Sequence, residues 1–170
     1  MGKVLTDEQI EQYNRDGYVY PVQAMSEEEI SAATNKVEAF ESEYDCEAQE
    51  RLVFKAHLPF RWLNNIVRHP RILDAVEDVL GPNLLCWGTG FFQKNARDPR
   101  FVSWHQDSAH WGLDSNQVLS VWVALTDATR ENGCMRMLAG SHKENLRHHN
   151  QKFDKNNLLT RGQTIENEKI

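Results

Sequence analysis

Residues 84–92 read LLCWGTGFF, and this apolar stretch decides the fold that the sequence predicts. An apolar run of this length, interrupted by small residues, is typical of a buried β-strand. Three further runs have strand character: FVSW at 101–104, QVLSVWVAL at 117–125 and CMRML at 134–138. Polar turns separate them. Short strands at this spacing predict an antiparallel sandwich or barrel.

Helices are predicted ahead of these strands. Thr6 and Ser26 each begin a capping-box pattern, in which a Gln or Glu follows three residues later. Residues 62–67 and 72–80 have helical periodicity, and Gly81 follows the second segment as a stop signal. Helices followed by strands favour an α+β fold, in which the helices cover one sheet.

Length and composition predict one globular domain over residues 1–170. Its expected parts are a helical buttress at about 1–82, strands at about 83–142 and a polar tail at 143–170. A formal charge of −6 argues against nucleic acid or an anionic membrane as a partner, because both select for basic patches. Three Cys form no CxxC pair and no signal peptide is visible, so we expect a cytoplasmic protein with reduced thiols.

The segment WHQDS at residues 104–108 contains the pattern His-x-Asp. On an extended segment, the side chains of His105 and Asp107 point the same way, because side chains alternate with a period of two. An imidazole nitrogen and a carboxylate oxygen on one face would form two thirds of the facial triad that binds non-haem Fe(II). The pattern alone is weak, since a surface Asp that orients a His has the same spacing.

Four motifs together resemble the phytanoyl-CoA dioxygenase family of Fe(II)- and 2-oxoglutarate-dependent oxygenases. They are KAHL from Lys55, WHQDSxxWG from Trp104, VWVALTDATxxNGC from Val121 and GSHK from Gly140. The resemblance covers about residues 5–145. It implies a double-stranded β-helix, the cupin-like jelly roll, buttressed by the N-terminal helices. Ala139 stands where the family usually has Pro.

The resemblance implies roles for the His-x-Asp pair. His105 and Asp107 would be metal ligands and catalytic residues that hold Fe(II). The cofactor 2-oxoglutarate would supply two electrons by its oxidative decarboxylation, while the protein orients the chemistry and shields it from water. Asp107 favours hydroxylation over halogenation, because related halogenases have Ala or Gly at this position.

Five other residues have counterparts around the family's cofactor or substrate. Lys55 would bind the cofactor carboxylate, or be an ordinary exposed lysine. Gln106 lies near the cofactor in the family, although strand alternation points it to the opposite face. Trp122 would pack on 2-oxoglutarate, or fill the core. His110 and Trp111 follow the His-x-Asp pair, where a loop would line the substrate pocket.

Two members of the family's site have no counterpart in this sequence. They are a third iron ligand, a His on a late strand, and an Arg that holds the far carboxylate of 2-oxoglutarate. We expect His148 and His149, in a polar segment without strand alternation, to be surface residues, with a substitute ligand as the alternative. The jelly roll is therefore expected to lack its late strands, which a missing C-terminal segment or a second chain would supply.

The sequence thus predicts a non-haem Fe(II)/2-oxoglutarate-dependent dioxygenase that hydroxylates a small organic metabolite with O₂. The alternative is a catalytically inactive, cupin-like module that binds a metal or ligand at His105 and Asp107. The substrate itself cannot be read from a fold-level resemblance.

Overall fold

The computed structural model describes residues 2–115, 117–159 and 164–165. These residues form mainly helix with little sheet. The α-helices are α1 (Asp7–Asp16), α2 (Glu27–Tyr44), α3 (Ala48–Arg51), α4 (Arg61–Val67) and α5 (Pro70–Leu80). Two 3₁₀ helices span Asp107–His110 and Ser141–Lys143, and the strands are β1 (His149–Asn150) and β2 (Thr164–Ile165). Among the described residues, no helix combines the length and the apolar character that crossing a bilayer requires.

The first two helices begin where the capping boxes predict them. The Thr6 hydroxyl accepts the N–H of Gln9, whose side chain accepts the N–H of Thr6. Ser26 and Glu29 repeat this reciprocal arrangement at the start of α2. Gly17 ends α1 in the left-handed region, with φ at 85°. The prediction of helices before residue 82 is confirmed.

The strands predicted from the apolar runs are not regular strands in the described part of the chain. An isolated parallel bridge joins Phe101 to Asn157. Strand propensity reflects packing and pairing with a neighbouring strand, and a ladder forms only where such a partner lies alongside. In the described part of the chain, the predicted strands do not pair with one another; they span residues 84–92, 101–104, 117–125 and 134–138. The double-stranded β-helix is therefore not confirmed.

Residues 84–92 are only partly buried, so the prediction of a fully buried strand is wrong. The side chain of Leu85 is 89% exposed. Thr89 and Phe91 attach the segment to the helices: the backbone N–H of His57 donates to the Thr89 hydroxyl at 3.2 Å, and Phe91 packs against the helical core. The apolar composition therefore indicated burial correctly for only some residues of this segment.

The described residues group into two compact units. The first consists of Met1–Gln93 and Ser120–Ser141, and the second of Lys94–Leu119 and His142–Ile170. Each unit therefore combines segments that are distant in sequence. That the whole chain is a single domain stays a prediction.

The first unit has its core between α2, α3 and α4. Leu52 is fully buried there, together with Phe40, and the ring of Phe40 meets that of Phe60 edge to face at 5.4 Å between centroids. Burying these apolar side chains is the main stabilising term for the helical unit. The buried members of this core are Phe40, Ala48, Leu52, Ala56 and Leu63.

Asp78 of α5 anchors the segment before α1. Its carboxylate accepts the backbone N–H groups of Lys3 at 2.6 Å, Val4 at 2.9 Å and Leu5 at 2.8 Å. Desolvation raises the pKa of Asp78. The three hydrogen bonds and the nearby Lys3 lower it by a larger amount, so the pKa lies below its ordinary value. The charged form of Asp78 therefore stabilises this contact.

The second unit is built around the residues just before the His-x-Asp pair. Phe101 exchanges two backbone hydrogen bonds of 2.8 Å with residues 156–158, and the N–H of Ile165 donates to the Trp104 carbonyl at 2.8 Å. In the antiparallel pair of β1 and β2, His149 lies opposite Ile165. Both described strands, of two residues each, lie in residues 143–170, the segment predicted to be a polar tail, and the division of the chain into these parts stays a prediction.

Candidate functional site

His105 lies in an irregular segment, and Asp107 is the first residue of the 3₁₀ helix Asp107–His110 that follows it. Nε2 of His105 is 3.0 Å from Oδ1 of Asp107. The His105 side chain is 22% exposed and that of Asp107 is 46% exposed, so solvent reaches the carboxylate more freely than the ring. The two side chains therefore meet as the spacing predicts, although the extended strand expected to hold them is not formed.

The backbone carbonyl of Ser103 determines the tautomer of His105. Nδ1 of His105 is 2.7 Å from that oxygen, which can only accept, so Nδ1 bears the hydrogen. Nε2 then faces a carboxylate oxygen that also only accepts. Such a close contact between two acceptor atoms is favourable when a hydrogen lies between them or when both atoms bind a cation. Burial lowers the pKa of His105. The hydrogen bonds to Asp107 and Ser103 raise it by a larger amount, so the pKa lies above its ordinary value.

Gln106, between the two site residues, is held by β1 and the residues before it. Its backbone N–H donates to Nε2 of His149 at 2.9 Å, and its side-chain oxygen accepts the N–H of Arg147 at 2.8 Å. Nδ1 of His149 donates to the Arg147 carbonyl at 2.8 Å. Gln106, Arg147 and His149 thus form a closed ring of hydrogen bonds.

The prediction that His149 is a surface residue is wrong, since it is 9% exposed. Its neighbour His148 is exposed, as predicted. Because Nε2 of His149 accepts the Gln106 N–H, its lone pair is not available to a metal in this arrangement. The polar sequence around the two histidines contains no signal that distinguishes the buried one from the exposed one.

Asn157 is a second contributor that the sequence reasoning missed. It is 8% exposed, and its side-chain amide donates to the Ser103 hydroxyl at 2.9 Å. Its side-chain oxygen accepts the N–H of Leu159 at 3.1 Å. Since the Ser103 carbonyl orients the ring of His105, Asn157 fixes the residue on which that orientation depends.

His110 and Trp111, predicted to line a substrate pocket, lie at the end of the 3₁₀ helix. The His110 ring packs edge to face on the His149 ring, with centroids 5.3 Å apart. Trp111 is half-buried and caps this helix. Both residues belong to the unit that contains His105, and their role in substrate binding stays a prediction.

Lys55 and Trp122, predicted to bind the cofactor, belong to the first unit. Lys55 is exposed, and its Nζ lies 4.9 Å from the ring centroid of Phe54 and 5.9 Å from that of Trp87. Trp122 is 47% exposed, so it does not simply fill the core. Their cofactor roles stay predictions.

His105 and Asp107 have no third potential metal ligand beside them among residues 2–115, 117–159 and 164–165. In these ranges, no three His, Cys, Asp or Glu side chains come close enough together to hold a metal ion. His105 and Asp107 are therefore a pair of donors rather than a complete ligand set.

Comparison with known proteins gives a consistent family assignment. The family model described as phytanoyl-CoA dioxygenase (PhyH) matches residues 13–168. An ectoine dioxygenase of Bordetella parapertussis is 27% identical over 155 residues, which cover 82% of this chain and 50% of that protein. The chain spans about half the length of the curated relatives it matches, or less. No solved structure matches it significantly.

Two further relatives match shorter parts of the chain. A "Probable alpha-ketoglutarate-dependent hypophosphite dioxygenase" of Stutzerimonas stutzeri is 31% identical over 100 residues, covering 58% of this chain and 34% of the relative. A peroxisomal phytanoyl-CoA dioxygenase of Bos taurus is 29% identical over 120 residues, covering 56% and 36%. The family model matches most of the length of this chain, which therefore belongs to the phytanoyl-CoA dioxygenase family.

Proposed function

We propose that this chain contains the Fe(II)-binding pair of a non-haem Fe(II)/2-oxoglutarate-dependent dioxygenase that hydroxylates a small organic metabolite. The proposal rests on one observation: His105 Nε2 and Asp107 Oδ1 lie 3.0 Å apart, with the ring oriented by Ser103. Family membership supports it, as does the similarity to the hypophosphite dioxygenase of Stutzerimonas stutzeri, which is named as alpha-ketoglutarate-dependent.

The donor atoms of the pair suit Fe(II). Imidazole nitrogen and carboxylate oxygen are the donors of the facial triad in non-haem iron oxygenases. Around a small octahedral cation with bonds of about 2.1 Å, adjacent donors lie about 3 Å apart. The distance between His105 Nε2 and Asp107 Oδ1 is 3.0 Å. The two residues could therefore hold the ion with little rearrangement.

Each residue of the pair has a distinct task in the proposed site. His105 presents Nε2 as the metal donor because Nδ1–H is engaged by Ser103. Asp107 adds a negative charge that offsets the charge of the cation, and its carboxylate fills the position that a halide would need. When bound, Fe(II) and 2-oxoglutarate supply the two-electron oxidation that hydroxylates the substrate with O₂. The protein's task is to hold the pair and limit the access of water.

We further propose that the jelly roll of the family forms when other strands cover the predicted ones. Leu85, Val121 and Met135 each belong to a predicted strand and are at least half exposed. Apolar side chains on a sheet are normally covered by a second sheet or by a partner. A further segment of the polypeptide or a second chain would provide this cover, together with the third iron ligand and the Arg for 2-oxoglutarate.

The three unpaired cysteines agree with the proposed cytoplasmic location.

The proposed reaction is tested by succinate formation. The chain is incubated with the further segment or second chain proposed to complete the site, and with Fe(II), 2-oxoglutarate, O₂ and a panel of small metabolites, and succinate is quantified. We expect substrate-dependent succinate from the wild type and none from Asp107→Ala. Equal succinate from both proteins would overturn the assignment. Metal binding without any succinate would favour the inactive, cupin-like binding module instead.

A further inference from the structure

We infer that residues 147–157 form a brace that positions the His105–Asp107 pair, with His149 and Asn157 as its positioning residues. The inference rests on the proposed function and deepens it, because it assigns a role to residues that do not themselves contact the metal. The brace lies in the segment whose sequence predicts only a polar tail.

The first arm of the brace acts on Gln106. Gln106 is the residue between the two proposed ligands, so its backbone torsions set the distance between their side chains. Its N–H donates to His149 and its side-chain oxygen accepts from Arg147, which in turn accepts from His149. Removing the His149 ring would leave a part-buried backbone N–H without its acceptor, which costs free energy. Gln106 would then adopt other torsions.

The second arm acts on Ser103. The Asn157 amide donates to the Ser103 hydroxyl at 2.9 Å, and both residues are buried. The carbonyl of Ser103 receives Nδ1–H of His105, and this bond selects the tautomer in which Nε2 can bind a cation. Asn157 therefore acts on the proposed metal donor through one intermediate residue.

One arm ends on Gln106, next to His105, and the other on Ser103, whose carbonyl lies 2.7 Å from His105 Nδ1, and this distinguishes the brace from general packing. His148 is exposed and provides a matched control next to His149. Removing a residue that orients a metal ligand typically weakens metal affinity by about 10–100-fold, because the ligand is no longer held in its binding geometry.

The affinity test uses Mn(II) as the probe, measured by the electron paramagnetic resonance signal of the free ion. We expect His149→Ala to weaken Mn(II) binding by about 10–100-fold. His149→Gln should restore most of the affinity, since its amide oxygen can accept the Gln106 N–H. His148→Ala should bind as the wild type does. A folded His149→Ala protein with wild-type affinity would overturn the brace.

The ring nitrogens provide a second test that requires no metal and no variant at position 149. Long-range ¹H–¹⁵N spectra of the wild-type chain should show a hydrogen on Nδ1 of both His149 and His105. In Asn157→Ala, the Nδ1 signal of His105 should shift because the Ser103 carbonyl that receives its hydrogen is no longer held in place. Wild-type spectra with the hydrogen on Nε2 of His149, or unchanged His105 signals in Asn157→Ala, would contradict the inference.

Failure of the proposed function gives a different result. In that case Mn(II) would bind no more weakly to Asp107→Asn than to the wild type, or would not bind to either. The brace would then be judged by the ring-nitrogen signals of His105 in His149→Ala and Asn157→Ala. Unchanged signals in both variants would overturn it.

Discussion

His105 Nε2 lies 3.0 Å from Asp107 Oδ1 within a segment that has no regular strand. The contact arises because the Ser103 carbonyl turns the ring and Asp107 begins a 3₁₀ helix. The two side chains thus meet as their spacing predicts, but the start of a 3₁₀ helix brings them together, not a β-strand. The pair depends on neighbouring hydrogen bonds for its geometry.

Replacing the carboxylate tests whether the pair binds a cation. Asp107→Asn keeps the size of the side chain but removes its charge, so we expect Mn(II) affinity to fall by at least about 100-fold, more than for an orienting partner. Asp114→Asn, at an exposed aspartate of the same unit, is the control and should bind normally. Similar losses in both variants would indicate a general charge effect.

Asp78 should contribute measurably to stability through its three backbone hydrogen bonds. We expect Asp78→Asn to lower the free energy of unfolding by about 1–3 kcal/mol, measured by urea denaturation near neutral pH. Asp74→Asn is the matched change on the same helix. Asp74 makes a long ion pair of 3.6 Å with Lys3, so its loss should change stability by less than about 0.5 kcal/mol.

The contribution of Asp78 should also depend on pH. Its folded-state pKa is lowered, so the stabilisation is present above the unfolded pKa and is lost as the pH falls through the folded value. The difference in unfolding free energy between the wild type and Asp78→Asn should therefore shrink below about pH 4. A difference that grows with acidification would contradict the assigned role.

The core of the first unit should be sensitive to the loss of volume at Leu52. This side chain is fully buried, so Leu52→Ala should cost about 2–5 kcal/mol in unfolding free energy. Leu85→Ala removes the same atoms from a side chain that is 89% exposed and should change stability by less than about 0.5 kcal/mol. A comparable cost at Leu85 would mean that its segment is covered in solution.

The capping box of α2 gives a local test of helix stability. Ser26→Ala removes the hydroxyl that accepts the Glu29 N–H, and we expect a loss of about 1 kcal/mol in thermal or urea unfolding. Ser31→Ala, inside the same helix and exposed, should be neutral or slightly stabilising because Ala has the higher helix propensity. A reversed order of the two variants would contradict the assigned cap.

Local signals predicted the helical part of the fold well. Thr6, Ser26 and Gly17 act on atoms within a few residues, so their sequence patterns determine where α1 and α2 begin and where α1 ends. The strand prediction failed for residues such as Leu85 because sheet formation depends on partners distant in sequence. An apolar segment indicates a tendency to be covered, but it does not identify what covers it.

The candidate site was predicted in part for the same reason. His105 and Asp107 are two residues apart, and their contact is a local property. His149 and Asn157 lie more than 40 residues further along the chain and contact the site only because the chain folds back on itself. Their roles could not be predicted without the tertiary contacts of the second unit.

The central claim, that His105 and Asp107 bind Fe(II) for 2-oxoglutarate chemistry, is tested most directly by an anaerobic titration. Fe(II) and then 2-oxoglutarate are added to the chain, together with the further segment or second chain proposed to complete the site, while the visible metal-to-ligand charge-transfer band of the chelate is recorded. We predict that the band appears with the wild-type chain and is absent with His105→Ala and Asp107→Asn. A folded, completed wild-type protein without the band, or variants that retain it, would contradict the account.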